Sequence, residues 1–420
     1  MTALTPDDLA AVDAALAPAD AERVARFPGD RTDRQPVHTV YVPADRFTAD
    51  LAHRWGAAAQ AALAEHAPGA ADLARVVGWP EEEVAPVWDA VMAKLTREPI
   101  EDLRVDLEDG YGTRPDDVED ADAVAAGRSI AVAVRQGTAP PYLGIRFKSL
   151  EGATRRRGLR SLDLVLGALL AGTELPTGWV VTLPKVTSVA QVSAMVDVCG
   201  RLERGYGLAA GALRFEIQVE TPQAVLLPDG AAGVARMLQA ADGRCTGLHF
   251  GTYDYTAALG IAGGFQALDH PAADHAKAVL QLAAAGTGVR VSDGSTNLVP
   301  SGDRVAVHAG WARHARLVSR ALERGFYQGW DLHPAQLPTR YLATYLFFRS
   351  DLDVLGQRLG HYLKGTTSAG GAMDEPATAQ ALAAFLLRGM HCGAVSAAEV
   401  RERTGAEPEQ VAALASRRVG

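Results

Sequence analysis

The sequence predicts a (β/α)8 TIM barrel with an N-terminal helical insertion and a C-terminal helical subdomain. Eight short β-rich runs alternate with alanine-rich stretches of helical periodicity. Strands that alternate with helices form parallel sheets, and eight such units close into a barrel. Charged residues also gather at the carboxyl ends of the runs, where barrels of this class place their active sites. An open, doubly wound sheet is the structural rival.

The elements follow in order. Val37–Pro43 (VHTVYVP) is the first strand, and 45–66 reads as its helix. The gap from Pro43 to Leu103 is too long for one crossover helix, and residues 70–98, carrying GWPEEEVAPVWDAVMAKL, read as an inserted helical pair. Leu103–Asp109 (LRVDLED), Tyr142–Phe147 (YLGIRF) and Trp179–Val186 (WVVTLPKV) are the next three strands. Arg214–Glu220 (RFEIQVE), Gly247–Gly251 (GLHFG), Gly288–Gly294 (GVRVSDG) and Gly329–Pro334 (GWDLHP) complete the set. Gly, Pro or polar residues bound each run. Thr187–Ser188 and Asp303 precede periodic stretches and mark helix starts. Beyond Tyr341 the strand pattern stops, leaving helices near 351–364, 376–390 and 396–419 with a linker at Gly365–Gly371. The chain thus divides into a barrel over 1–348 and a helical lid or oligomerisation subdomain over 349–420.

Composition narrows the function classes. Fifty acidic residues against 41 basic ones give the 420-residue chain a net charge of −9, which argues against a nucleic-acid partner. No apolar run approaches the ~20 residues that span a bilayer. Residues 1–21 lack a secretion leader. Cys199, Cys245 and Cys392 are scattered, in neither a metal spacing nor a disulfide framework. The expectation is a reduced, cytoplasmic globular protein.

The strand ends carry the chemistry. Asp106, Glu108 and Asp109 close the second run, Arg146 and Lys148 the third, and Lys185 the fourth. Glu220 ends the fifth, Asp254 follows the sixth, Asp293 ends the seventh and His333 the eighth. Unpaired charges are costly to bury, so such a ring needs a counter-ion. Mg2+ takes one or two carboxylates plus water and substrate oxygens. Glu220 and Asp254, on adjacent strands, are the candidate ligands for Mg2+ or Mn2+. Arg146 supplies a bidentate cation for a substrate carboxylate or a developing enolate oxygen.

Other residues leave alternatives open. Lys185 reads as a carboxylate partner or as a Schiff-base nucleophile. Arg155, Arg156, Arg157 and Arg160 form a solvated face or a receiver for a CoA phosphate. His308 and His314 are spaced poorly for a metal, and His333 reads as structural or catalytic.

Several motifs resemble, in order, the HpcH/HpaI aldolase and citrate lyase beta-subunit family, which includes malyl-CoA and citramalyl-CoA lyases. They are VYVPADR from Val40, DLEDGYG (106–112), GIRF (144–147), LPKV (183–186), VETPQAV (219–225), FGTYDYTAALGI (250–261), GWDLHPAQ (329–336) and AMDEPATAQAL (372–382). The resemblance runs from about residue 34 to 390. It implies a barrel that uses Mg2+ to cleave or form a carbon–carbon bond through an enolate. It makes Glu220 and Asp254 the metal ligands, Arg146 the carboxylate or carbonyl clamp, and Glu108 and Asp109 holders of metal-bound water. Lys185, Gly251 and Thr252 fall in its motifs as substrate-binding positions. Asp374, in an Asp-x-Pro pattern, is the candidate general acid/base, reaching over a neighbouring subunit's site in a trimer or hexamer. Where the family usually carries Arg-Ser before the first strand, this chain has Gln35-Pro36-Val37-His38.

The expected function is a Mg2+-dependent carbon–carbon lyase acting on a small hydroxy acid or its acyl-CoA thioester, with a 2-oxo acid on one side. The alternatives are a metal-dependent pyruvate-type aldolase that does not use CoA, and a non-catalytic metabolite-binding barrel.

Overall fold

The computed structural model describes residues 3–366 and 375–416. Eight parallel strands run β1 (His38–Pro43), β2 (Asp102–Asp106), β3 (Tyr142–Arg146), β4 (Trp179–Leu183), β5 (Phe215–Val219), β6 (Cys245–Phe250), β7 (Arg290–Ser292) and β8 (Gly329–Asp331). Each overlaps one of the eight runs seen in the sequence. The strands pair in the order β7-β6-β5-β4-β3-β2-β1-β8. Backbone bonds from Asp293 to Gln328 (2.9 Å) and from Trp330 to Gly294 (3.3 Å) join β7 to β8 and close the barrel. The fold is therefore the TIM barrel.

Local sequence explains the pairing. Outward residues such as Leu103, Val105, Phe215, Ile217 and Val219 are buried under the helical ring, as a sheet covered on both faces demands. Gly144 lets β3 and β4 meet, since a Cβ there would stand 1.6 Å from the Val180 carbonyl oxygen.

Some boundaries differ from expectation. Residues 44–46 form a 3-10 turn and the first crossover helix starts at Leu51. The stretch 396–419 is two helices, Ala397–Thr404 and Pro408–Ala415, because Gly405 turns left-handed (φ 71°) and Pro408 opens a new first turn. The insertion forms helices Ala70–Val77 and Glu81–Arg97. Its Leu73, Val84, Val91 and Leu95 share one apolar cluster with Tyr341, Phe348, Leu386, Val400 and Val411. Insertion and C-terminal helices thus pack as one body, and position 348 lies inside the helix Leu337–Ser350. The linker Gly365–Gly371 lies partly, and Asp374 wholly, outside the described residues. No helix among the described residues is long and apolar enough to cross a membrane.

Candidate active site at the carboxyl end of the barrel

Side chains alternate across a strand, so β2 sends Asp102, Arg104 and Asp106 inward and β5 sends Glu216, Gln218 and, just past its end, Glu220. The interior is consequently a stack of polar tiers. In the lowest, Arg104 crosses the barrel and donates to both Glu216 oxygens, at 3.0 and 2.8 Å, and pairs with Asp102. His249 meets Glu216 at 3.0 Å. Burial raises the Asp102 carboxyl. Glu216 is equally buried, but Arg104 and His249 outweigh that and hold it well below the usual range.

The middle tier fixes Arg146. Its Nε and Nη2 donate to the two oxygens of Asp106 at 2.7 and 2.6 Å. The guanidinium lies 4.7 Å from the Tyr41 ring centroid. Nη1 makes looser contacts, 3.3 Å to Gln218 Oε1 and 3.4 Å to Glu108 Oε2. Asp106 also accepts the backbone N–H groups of Glu108 and Gly110, which folds the DLEDGYG turn over the mouth.

The top tier centres on Lys185. Its Nζ stands 2.5 Å from Glu108 Oε1, 2.5 Å from Asp109 Oδ2 and 3.3 Å from Asp254 Oδ2. Its backbone N–H donates to Glu220 Oε1 at 2.8 Å. Lys185 adopts a left-handed backbone (φ 50°), a conformation that costs a side-chain-bearing residue about 1 kcal/mol. Burial opposes its charge, yet Glu220, Glu108 and Asp109 win and hold the ammonium above the usual lysine range. A lysine so engaged is a counter-ion and a poor Schiff-base nucleophile.

Glu220 is the most perturbed acid of the mouth. It is 2% exposed, and burial, reinforced by the charge of Asp254, pushes its carboxyl up to about 8 against Lys185, Arg146 and Gln218. Burial likewise raises Glu108, despite Arg146 and Lys185. For Asp109 burial loses to the Lys185 bond, and its carboxyl lies below the ordinary value. Gly251 sits under Glu220, where a Cβ would come within 2.5 Å of the Glu220 Cβ. The buried Thr252 Oγ1 has no hydrogen-bond partner among the described residues.

The structure thus brings together Glu108, Asp109, Arg146, Lys185, Glu220, Gly251 and Asp254. Other strand-end residues go elsewhere. Lys148 turns to Glu119 (2.6 Å), Asp293 pairs with Lys277 at 3.1 Å, and His333 caps the turn at Ala335. Arg157 and Arg160 are both tied to Asp120 on the neighbouring helix. Gln218, whose amide donates to Glu220 while its oxygen accepts from Arg146, escaped the sequence reading. The alternation Glu216–Gln218–Glu220 was its signal.

The sequence model of the family described as a domain of unknown function, DUF6986, matches residues 16–419. The chain belongs to this family. No curated protein matches this DUF6986 chain. Among solved structures, a citrate lyase from Burkholderia xenovorans LB400 is 19% identical, with a TM-score of 0.54 over 75% of this chain and 91% of that one. A magnesium/glyoxylate complex of Haloferax volcanii malate synthase is 16% identical, with a TM-score of 0.47 over 93% and 99%. The citrate lyase beta subunit of M. tuberculosis, complexed with oxaloacetate and magnesium, is 20% identical, with a TM-score of 0.42 over 73% and 96%. At such identities the first likeness speaks for the fold, and the other two add no weight.

Among the described residues no group of three or more His, Cys, Asp or Glu is placed to hold an ion. Glu220 and Asp254 are a pair of hard oxygen donors, with Lys185 as the cation now between the surrounding carboxylates. Two carboxylates completed by water and substrate oxygens are what Mg2+ accepts. The residues fit that ion.

Proposed function

We propose that this DUF6986 protein is a Mg2+-dependent carbon–carbon lyase or condensing enzyme of the citrate lyase beta-subunit type, acting on a small 2-oxo or hydroxy acid or its acyl-CoA thioester. The observation that carries the reading is Glu220: a buried carboxyl pushed up to about 8 beside a second carboxylate, Asp254, at the catalytic end of a TIM barrel.

Glu220 and Asp254 would hold the ion, which supplies Lewis-acid polarisation of a substrate oxygen. Arg146, clamped by Asp106, offers Nη1 to a substrate carboxylate or to the oxygen that gains charge. Glu108 and Asp109 hold the Lys185 ammonium at 2.5 Å each, and Gly251 leaves the space that Glu220 occupies. Asp374, outside the described residues, is the proposed general acid/base, reaching over a neighbouring subunit's site.

Titration of the chelated protein with Mg2+, read by thermal melting, tests the metal assignment. The transition is expected to rise for the wild type and to stay put for Glu220→Gln and Asp254→Asn. An equal rise in all three would overturn it.

A further inference from the structure

The helix Pro6–Arg26 carries strong helix-start signals, yet among the described residues it is buried against nothing. Thr5 and Asp8 cap it reciprocally and Pro6 opens its first turn, but none of its residues is buried. Leu9, Val12 and Leu16 are 53%, 54% and 54% exposed. Their spacing of three and four puts them on one face. Helices draw most of their stability from packing an apolar face, so this face lacks its partner. Asp13 and Asp20, seven residues apart, border the stripe within about 60° around the helix.

A groove elsewhere answers it in size and charge. It lies between the helices Asp116–Gln136 and Arg155–Leu170 and encloses about 580 Å³. Val124, Val132, Leu164 and Ala168 line it, with Arg128, Arg135 and one acid, Asp163, alongside; Arg135 also donates to the Gly172 carbonyl at 2.6 Å. The two arginines are exposed and also seven residues apart, so acids and arginines share a rise of ~10.5 Å along their helices. The N-terminal helix cannot be supplying its own groove. Its base is tied to the barrel by Gly29 N–H donating to Gly286 O at 2.8 Å, just before β7. The groove flanks β3, four strands away and on the opposite wall.

We infer that the N-terminal helix is an exchange arm that docks into this groove on a second copy of the chain. Leu9, Val12 and Leu16 fill the apolar floor, as in other helix-in-groove complexes. Asp13 and Asp20 face Arg128 and Arg135. Exposed ion pairs add little affinity but set register and partner choice. Pairing between two N-terminal helices is the poorer solution, because Asp7, Asp8, Asp13, Asp20 and Glu22 outnumber Arg23 and Arg26 and would repel. The inference stands apart from the chemistry proposed for the barrel mouth.

Light scattering of the full chain after gel filtration tests it. The wild type is expected above the 44.2 kDa of one chain. Leu9→Glu/Leu16→Glu and Arg128→Glu/Arg135→Glu are each expected to run at a lower mass than the wild type with unchanged circular dichroism. Adding Asp13→Lys/Asp20→Lys to the arginine variant should restore assembly. Mixing Val12→Cys with Val132→Cys protein under oxidation should give a disulfide between copies that neither gives alone. A wild type of one chain's mass, assembly unaffected by the arginine reversals, or cross-linking of Val12→Cys to itself would each overturn the inference.

Discussion

The backbone N–H of Lys185 donates to Oε1 of Glu220 at 2.8 Å from a left-handed conformation, while the same residue's ammonium serves the opposing carboxylates. One residue therefore holds two functions at the mouth, a backbone donor for the neutral acid and a cation for the charged ones.

Substitutions at Lys185 separate those functions. Lys185→Ala removes the ammonium from Glu108 and Asp109 and keeps a side chain at φ 50°; a loss of about 1–2 kcal/mol is expected for the partly exposed pairs. Lys185→Gly removes the same charge but relieves the backbone, and is expected to be the more stable of the two by about 1 kcal/mol. Urea unfolding at neutral pH distinguishes them; equal midpoints would show that the left-handed turn carries no strain.

Glu220 makes stability depend on pH. Its folded-state value of about 8 exceeds the ordinary 4.5, so the folded chain keeps a proton that the unfolded chain releases. Its stabilising contribution is present below about pH 4.5 and declines until about pH 8. In chelator, Glu220→Gln is therefore expected to overtake the wild type as pH rises, by a few kcal/mol at pH 9, on the order of three units at about 1.4 kcal/mol each. Melting curves that keep a constant offset from pH 5 to 9 would contradict this.

Gly251→Ala tests the packing under the acid. The new methyl would meet the Glu220 Cβ at 2.5 Å and Oε2 at 2.6 Å, so Glu220 must leave its position. Loss of Mg2+-induced stabilisation with a retained helical spectrum is the expected result.

Gln218→Leu removes the amide that bridges Arg146 and Glu220. Groups that orient ligands from behind commonly contribute 10–100-fold to affinity or activity, and a decrease of that size is expected in Mg2+ affinity by calorimetry. Glu restores only one of the two contacts, so Gln218→Glu should not rescue it.

Much of this was legible in the sequence, for physical reasons. All eight strands were marked because each is a β-rich run ended by Gly, Pro or a charge. Glu108, Asp109, Lys185, Glu220 and Asp254 were found because strand ends at one face converge in a parallel barrel. Arg104, Glu216 and Gln218 were missed because they lie within strands, where attention to strand ends does not reach. Lys148 and Asp293 misled because a residue past a strand's end can turn outward to Glu119 or Lys277 as easily as inward. The N-terminal helix was missed because its weak apolar stripe sits in an acidic, alanine-rich segment.

The most direct test is proton exchange in D2O, followed by NMR, with Mg2+, pyruvate and acetyl-CoA in one tube. The wild type is expected to remove the methyl signal of one of the two compounds, pyruvate for an aldolase or acetyl-CoA for an acyl-CoA lyase, and Glu220→Gln to leave both. Methyl signals that persist with the wild type even after glyoxylate is added, or that fade equally with Glu220→Gln, would contradict the assignment of carbon–carbon bond chemistry to this mouth.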